Sequence, residues 1–328
     1  MGHRVTLIPG DWVGPETIAV TKAVIAAAGV DIEWSEHTID ESGITEALID
    51  DCKATGVVLK GKVRAPREKG KLPPTIQLRK ALGTWSTIRP VTALPNTNAR
   101  FEDIDIIVVR ETSEDIYSGI EHEVTDGVYE AIKITTRAAC ERIARSAFEL
   151  ARAQRRKKVT IVHKSNIMKK SDGMFLKTSM EVAKEYPDIQ SEEAIVDALC
   201  MRLVKWPMQF DVLLTANLFG DIVSDLCSGL AGGISASPSA SYGDDVALFE
   251  NPHGKAEDLV GSGLASPIPM LRTSVLMLSH MGETEAAERI DSAIHSAFSN
   301  GLRTVDVGGT DGCAAVQSAL LELLSQKI

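Results

Sequence analysis

The chain has 328 residues, of which 44% are hydrophobic and 24% charged, proportions typical of a globular protein with a substantial core. Its net charge of −10 at pH 7 argues against nucleic-acid binding, because no broad basic surface is there to neutralise phosphates. No apolar run has the length that a membrane span requires. The five cysteines are scattered and form no CxxC pair, which favours reduced thiols in a cytoplasm.

The first third of the chain alternates short apolar, β-branched runs with longer helical patterns. Residues 5–10 (VTLIPG) predict a buried strand, and a helix from about Pro15 to Ala28 follows it, with the proline at a tolerated first-turn position. The runs at 56–61 (GVVLKG) and 103–110 (DIDIIVVR) indicate two more buried strands.

The same alternation continues through the rest of the chain. An amphipathic helix is predicted over 139–154, a strand within 155–164 and another strand over 210–217. The small, polar stretch 232–245 (GGISASPSASYGDD) is typical of a loop, and the remainder of the chain is mostly helical in pattern. Strands that alternate with helices predict an α/β fold with a mostly parallel sheet.

Residues 217–226 (NLFGDIVSDL) place two aspartates four positions apart in an otherwise apolar helix. Side chains at this spacing lie on one helix face, so Asp221 and Asp225 would present the hard oxygen ligands that Mg²⁺ and Mn²⁺ prefer. The alternative is a solvated pair near a helix N-terminus that only complements the helix dipole. The apolar neighbours weaken that alternative.

Three arginines are candidates for carboxylate recognition. Arg110 ends a predicted strand, where ligands bind in open α/β sheets, and Tyr117 in the following loop is either a core residue or a proton donor. Arg79 lies on a predicted helix and Arg89 lies beyond its end. Each arginine alone would usually be a solvated surface residue, whereas the three together would clamp a polycarboxylate.

Two further stretches carry candidate chemistry. Lys164 and Asn166 stand just past a predicted strand, where a partly desolvated lysine can act as a general base, although a lysine that extends its charge into solvent is commoner. Residues 249–267 contain a glycine-bearing loop, but no GxGxxG fingerprint follows any predicted strand. A nucleotide would therefore bind without the classical Rossmann arrangement.

Taken in order, these stretches resemble the isocitrate and isopropylmalate dehydrogenase family of β-decarboxylating dehydrogenases. The similarity runs from PGDWVGPE (9–16) to VDVGG (305–309) and so covers nearly the whole chain. Its most specific segments are VRETSEDIYSGIEH, VHKSNIMK and TANLFGDIVSDLCSGLAGG, followed by the FENPHG loop. The resemblance implies an enzyme that oxidises and decarboxylates a 3-substituted malate.

The resemblance also implies a two-lobed α/β fold and at least a homodimer. The large, cofactor-binding lobe would combine residues 1–95 with 243–328, and the small lobe, 96–242, would carry the metal site and the dimer interface. The active site would lie in the cleft between the lobes, where the partner subunit would complete it.

Residue roles follow by motif from the same resemblance. Tyr117 would protonate the enolate, and Lys164 of the partner subunit would help to take the hydroxyl proton. Mg²⁺ or Mn²⁺ would be held by Asp221, Asp225 and Asp197 of the partner subunit. The substrate-binding positions would be Thr75, Arg79, Arg89, Arg110 and Asn166.

NAD is the implied cofactor. Asp258 and Leu259 fall where NAD-dependent members of the family have an acidic residue followed by an aliphatic one, and a carboxylate there would accept from the ribose hydroxyls and repel a 2′-phosphate. The implied cofactor-binding positions are Ala65, Asn166, His253, Gly254, Lys255, Ala256, Asp258, Leu259 and Ser266.

The chain also departs from the family pattern. Trp12 replaces a glycine of GDGIGPE, and Ser266 replaces an asparagine that would pair with adenine. Pro73 and Thr75 stand where isocitrate enzymes have a serine and an asparagine, whereas SEDIYSGIEH resembles the isocitrate side of the family. The cation-rich stretch 62–71 is either a solvated loop or a site for an anionic substituent.

Isocitrate is the leading expectation for the substrate, and 3-isopropylmalate, homoisocitrate and a phosphonomethylmalate-type acid stay open. An alternative of another class is a non-catalytic regulatory subunit of a hetero-oligomeric dehydrogenase, which the retained Tyr117 and Lys164 argue against. We expect a cytoplasmic enzyme that acts on a small polycarboxylate and has neither nucleic acid nor membrane as a partner.

Overall fold

The computed structural model describes residues 2–40, 43–64, 72–251 and 256–326. The predicted cofactor positions Ala65, His253, Gly254 and Lys255 lie outside these residues, as does most of the cation-rich stretch.

Helices and strands alternate over much of the described chain. The strands are β1 (His3–Ile8), β2 (Ile32–Glu36), β3 (Val57–Lys60), β4 (Ser86–Thr92), β5 (Asp105–Glu111), β6 (Glu121–Thr125), β7 (Val128–Ala131), β8 (Lys158–His163), β9 (Gln190–Ile195), β10 (Val212–Thr215), β11 (Ser239–Tyr242) and β12 (Ala247–Glu250). The helices are α1 (Gly14–Ala27), α2 (Glu46–Thr55), α3 (Pro74–Ala81), α4 (Arg137–Ala153), α5 (Ser171–Ala183), α6 (Val196–Lys205), α7 (Asn217–Leu230), α8 (Ile268–His280), α9 (Thr284–Ser299) and α10 (Cys313–Ser325).

The chain divides into two compact units. Unit one comprises Met1–Thr84, Ala93–Glu102 and Ala231–Ile328, and unit two comprises Trp85–Thr92 and Asp103–Leu230. This division differs from the predicted lobes at three places: residues 85–92 lie in unit two, and residues 96–102 and 231–242 lie in unit one. Strand β4 belongs to unit two because it pairs antiparallel with β5 along its whole length. Strand β11 belongs to unit one because it pairs antiparallel with β12.

Unit one contains a sheet in the order β2-β1-β3-β12-β11, parallel except for β11. Successive strand residues point to opposite faces, and both faces are covered. Leu7 and Leu59 pack in the cluster that α1, α8, α9 and α10 supply on one face. Their neighbours Ile8 and Val58 pack in a second cluster, with Leu48 of α2, on the other. The carboxyl ends of β1, β3 and β12 therefore meet at one edge of a buried sheet.

Unit two contains strands in the order β4-β5-β10-β8-β9, parallel except for β4. Helices α4 and α5 cover one face, where Phe148 and Phe175 pack against Ile107, Ile161 and Leu214. Strands β6 and β7 form a separate antiparallel ribbon. This arrangement places the ends of β5 and β10 side by side.

The predicted α/β class with a mostly parallel sheet is confirmed, but the loop predicted over 232–245 is wrong in part. Residues Ser239–Tyr242 form β11, and Ser239 and Ser241 are buried. Serine and alanine give no β-branched signal in the sequence, and pairing with the apolar strand β12 decides the structure of this segment. In the described part of the chain, no helix combines the length and apolar character that crossing a membrane demands.

Candidate active site

Gly220 determines how closely helix α7 approaches strand β5. Strand β10 leads directly into α7 and pairs in parallel with β5, with Thr215 opposite Arg110. A Cβ on Gly220 would lie 2.3 Å from Oγ1 of Thr215 and 2.6 Å from Cγ of Arg110, closer than side chains tolerate. Glycine therefore permits the contact that brings Asp221 to Arg110.

Arg110 is buried and bound by two side chains of α7. Its Nε and Nη2 donate to Oδ1 of Asn217 at 3.0 and 2.7 Å, and its Nη1 donates to Oδ1 of Asp221. Asn217 in turn donates to the backbone oxygen of Glu114 at 2.9 Å. Sequence reasoning missed Asn217, although a polar residue at a strand-to-helix junction is a recognisable signal. This asparagine fixes the orientation of the guanidinium.

Tyr117 contacts the same aspartate. Its hydroxyl donates to Oδ2 of Asp221 at 2.5 Å, and the guanidinium of Arg110 lies 5.2 Å from its ring centre. Burial, and next the Asp221 carboxylate, raise the pKa of Tyr117. Burial alone would also raise the pKa of Asp221, but the charge of Arg110 and the hydrogen bond from Tyr117 outweigh it and leave that pKa lowered. The site thus pairs a protonated phenol with an ionised carboxylate.

One helical turn further along α7, Asp225 meets the second arginine. Nη1 of Arg89 donates to Oδ1 of Asp225 at 2.7 Å and to Oγ of Ser224 at 2.8 Å. Arg89 is only 8% exposed, and within the described residues its Nε has no hydrogen-bond partner. The Asp225 side chain is 74% exposed. The two aspartates are therefore each neutralised by a buried arginine, and they share one helix face.

The aspartate pair offers donors that suit a divalent metal ion. Asp221 and Asp225 offer carboxylate oxygens one turn apart, the donor type that Mg²⁺ and Mn²⁺ bind. Across the described ranges, no group of three or more acidic, cysteine or histidine side chains gathers within one chain. The pair therefore fits a divalent ion by chemistry, and further ligands must come from water, substrate or another subunit.

Asp197 and Lys164 contact each other elsewhere in unit two. Nζ of Lys164, which follows β8, donates to Oδ1 of Asp197 in the first turn of α6 at 2.5 Å. This hydrogen bond lowers the pKa of Asp197, whose side chain is 68% exposed. Asn166 is exposed two residues beyond Lys164. These three residues present a polar, accessible group at the ends of β8 and β9.

In unit one, Arg79 belongs to a buried charge triad that sequence reasoning missed. Nε of Arg79 donates to Oε1 of Glu250 at 2.8 Å, and Nζ of Lys60 lies 2.9 Å from Oε2. Lys60 and Glu250 are 2% and 5% exposed. Burial opposes ionisation, but the charges of Arg79 and Lys60 prevail and lower the pKa of Glu250 to about 2. A lysine that ends the apolar run VVLK was the available signal. Thr75 lies half-buried on the same helix as Arg79.

Apart from Asn166, the predicted cofactor positions that the structure describes are Ala256, Asp258, Leu259 and Ser266, which lie beside, in or after a short 3₁₀ turn. Ala256 has a left-handed backbone (φ 47°), and Glu257–Leu259 follow, with Asp258 exposed. Oγ of Ser266 is buried and, within the described residues, has no hydrogen-bond partner. The same is true of both amide atoms of Asn251, which follows β12. Buried polar groups of this kind fit a polar ligand such as a dinucleotide.

Comparison with known proteins identifies the chain. Residues 4–320 match the family model described as isocitrate/isopropylmalate dehydrogenase. The mitochondrial NAD isocitrate dehydrogenase catalytic subunit 5 of Arabidopsis thaliana is 43% identical over 97% of this chain and 88% of its own. A regulatory subunit of the mitochondrial NAD isocitrate dehydrogenase of Dictyostelium discoideum is 40% identical over 99% of this chain and 93% of its own. A crystal structure of isocitrate dehydrogenase from Methylococcus capsulatus has a TM-score of 0.94 at 40% identity, covering 99% of this chain and 100% of that one.

The chain is a β-decarboxylating dehydrogenase, an α/β enzyme that carries out the oxidative decarboxylation of a hydroxy acid. More specifically, it belongs to the isocitrate/isopropylmalate dehydrogenase family, as the sequence predicts. Its substrate is a small polycarboxylate. The roles of individual residues, the oligomeric arrangement and the cellular location stay predictions.

Proposed function

We propose that the chain catalyses the NAD-dependent and divalent-metal-dependent oxidative decarboxylation of isocitrate. The observation that carries the proposal is the pair of contacts Arg110–Asp221 and Arg89–Asp225 on one face of α7. A dicarboxylate carries the same charge as the two aspartates, and a divalent cation carries the same charge as the two arginines. When substrate and metal bind, the substrate carboxylates can therefore pair with the two arginines, and the cation can bind the two aspartates.

The proposed metal ligands are Asp221, Asp225 and Asp197 of the partner subunit. When bound, the metal supplies the positive charge that favours loss of the hydroxyl proton and the electron shift that releases CO₂. The lowered pKa of Asp221 keeps this ligand ionised at neutral pH.

The protein side chains supply positioning and proton transfer. Arg110, held by Asn217, and Arg89 bind the carboxylates of the substrate through charge-assisted hydrogen bonds. Lys164 of the partner subunit takes the hydroxyl proton. Tyr117 delivers a proton to the carbon that CO₂ leaves, and its raised pKa keeps the phenol protonated until that step.

Two observations support NAD as the hydride acceptor. The relative from Arabidopsis thaliana is named as an NAD enzyme. Asp258 is exposed in the 3₁₀ turn of the proposed cofactor loop, where its carboxylate would accept from ribose hydroxyls and repel a 2′-phosphate.

The binding partner in the oligomer is proposed to be a second copy of this chain. Met201 and Val204 on α6 and Ile222 on α7 are 54%, 42% and 54% exposed, so two helices in contact with each other leave large apolar side chains open to a partner. The same two helices carry the proposed metal ligands, so a partner that covers this surface can contribute its own Asp197. Light scattering should report a dimer, and Ile222→Asp should shift it toward monomer; a wild-type monomer that turns over substrate would contradict the shared site.

A substrate panel with purified chain, NAD⁺ and Mn²⁺ tests the reaction. We expect isocitrate to give the highest kcat/KM among isocitrate, homoisocitrate, 3-isopropylmalate, tartrate and a phosphonomethyl malate. If isopropylmalate is preferred, the assigned acid is wrong while the reaction class stands. Pro73 and Thr75, at the start of α3, keep the other acids open.

The competing function is a regulatory subunit that binds polyacid without turnover, and one relative is named as such a protein. The contact between Tyr117 and Asp221 argues for catalysis, because a proton donor beside a metal ligand serves turnover. Reduction of NAD⁺ by the purified chain alone would exclude the regulatory function. A cytoplasmic location stays a prediction that rests on the pattern of free cysteines.

A further inference from the structure

Asn251 has unused hydrogen-bonding capacity at the end of a buried strand. Its side chain is 6% exposed, and neither Nδ2 nor Oδ1 has a hydrogen-bond partner within the described residues. A buried amide with both atoms unpaired is rare, since native proteins satisfy nearly all such groups. Such an amide is normally completed by an ordered water molecule or by a bound ligand.

The position of Asn251 favours a ligand. It follows Glu250, and Glu250 pairs with Lys60 in the register of β12 with β3. Asn251 therefore lies at the carboxyl end of parallel strands, the edge where open α/β sheets bind ligands. The neighbouring charges are already committed, because Glu250 binds both Lys60 and Arg79. Among the described residues, the amide of Asn251 is a neutral group at this edge with both a donor and an acceptor unpaired.

We infer that Asn251 recognises the carboxamide of the nicotinamide ring, an inference that rests on the proposed function. Nδ2 donates to the carboxamide oxygen, and Oδ1 accepts from the carboxamide nitrogen. A carboxamide presents an acceptor and a donor side by side, as an asparagine does, so each group satisfies the other. A carboxylate could not do this, because it accepts only and would leave Oδ1 unpaired.

Binding of cofactor analogues to the full-length protein tests the inference without turnover. The dissociation constants of NADH and reduced 3-acetylpyridine adenine dinucleotide would be measured by titration calorimetry; the analogue lacks the amide donor. We expect the wild type to prefer NADH by about tenfold, the cost of leaving one buried acceptor unpaired. Asn251→Ala should weaken NADH binding by about tenfold and abolish the preference.

The melting temperature of the ligand-free protein provides the second readout. An unpaired buried amide destabilises the fold, and leucine has a volume similar to that of asparagine. Asn251→Leu should therefore melt no lower than the wild type. If Asn251→Ala does not fold, Asn251→Leu replaces it in the binding measurements. Thr178→Val in α5 is the matched control. Thr178 is 2% exposed, and its hydroxyl has no hydrogen-bond partner among the described residues, so its removal should leave both dissociation constants unchanged.

Two outcomes would overturn the inference. One is a wild type that binds NADH and the acetylpyridine analogue equally well. The other is an Asn251 variant that keeps the wild-type preference, which would make the amide an unpaired structural residue. Both outcomes leave NAD⁺ turnover intact, whereas a wild type that binds no nicotinamide cofactor would refute the proposed function itself.

Discussion

The hydroxyl of Tyr117 donates a 2.5 Å hydrogen bond to Oδ2 of Asp221, and the other oxygen of the same carboxylate binds Arg110. One aspartate thus orients a phenol proton and neutralises a buried guanidinium, and in the proposed site it would also bind the metal ion. The proposed proton donor Tyr117, metal ligand Asp221 and carboxylate-binding Arg110 are therefore in direct contact. A substitution at one of them should alter the position of the other two.

Replacing Tyr117 with phenylalanine removes the proton donor and keeps the ring. We expect kcat to fall by about 100- to 1,000-fold, with a smaller change in the KM for the hydroxy acid, because general acid catalysis contributes mainly in the transition state. Tyr129→Phe, on the exposed ribbon β6–β7, is the matched control and should retain wild-type activity. Steady-state NADH production measures both, and a Tyr117→Phe enzyme of near wild-type kcat would remove Tyr117 from the mechanism.

Gly220→Ala should damage both stability and activity. The new Cβ would lie 2.3 Å from Thr215 Oγ1 and 2.6 Å from Arg110 Cγ, so α7 or Arg110 must move, at a cost of about 1–3 kcal/mol in unfolding free energy. Gly229→Ala lies in the same helix and meets nothing within 4 Å, so it should be neutral or stabilising by up to about 1 kcal/mol. Urea unfolding distinguishes the two, and equal effects of both variants would show that the close approach at Gly220 is unimportant.

Glu250→Gln should destabilise the protein at neutral pH, because it leaves the nearly inaccessible Lys60 without its counter-charge. Breaking such a buried pair costs about 3–5 kcal/mol. The folded pKa of Glu250 is lowered to about 2 from an ordinary value of 4.5, so its contribution is fully present above pH 4.5 and is lost as pH falls toward 2.

The check for Glu250 is a comparison of two stability curves. Unfolding free energies of the wild type and Glu250→Gln would be measured between pH 7 and pH 2. The two curves should converge as pH falls through this window. Parallel curves would mean that Glu250 is not ionised within the fold.

Asp258→Lys should reverse the cofactor preference. The substitution removes an acceptor for the ribose hydroxyls and supplies a cation for a 2′-phosphate, so we expect NAD to bind about tenfold more weakly and NADP more tightly. The dissociation constants of NAD and NADP measure this change in preference. Glu257→Lys, at the neighbouring position, is the control for the added charge. Equal losses for NAD and NADP would reject the role of Asp258.

Much of the fold was predictable, because β-branched runs and helical periodicity mark β1, β3, β5, β8 and β10 locally. Strand β11 was not predictable in this way, since its serines and alanines become a strand only through pairing with β12. The α/β class was nevertheless predicted correctly, because it depends on the strands and helices with a strong local pattern.

The chemistry of single residues was predictable, and their pairings were not. Spacing placed Asp221 and Asp225 on one face, but their partners Arg110 and Arg89 lie more than a hundred residues away in sequence. The partnership of Arg79 with Glu250 depends in the same way on how β12 is placed beside β3. Such contacts depend on the register of the strands and on the close approach of α7 to β5 at Gly220. Neither can be seen in a local sequence pattern.

We propose that aspartates of two subunits share one divalent ion, and complementation between inactive variants tests this sharing most directly. Asp197→Asn and Asp221→Asn should each inactivate the homodimer. A mixture refolded or co-expressed at equal amounts should recover about a quarter of wild-type activity, because half of the dimers are hybrids and each hybrid keeps one intact site. A mixture as inactive as its two parents, from chains shown to exchange into hybrids, would contradict the shared site.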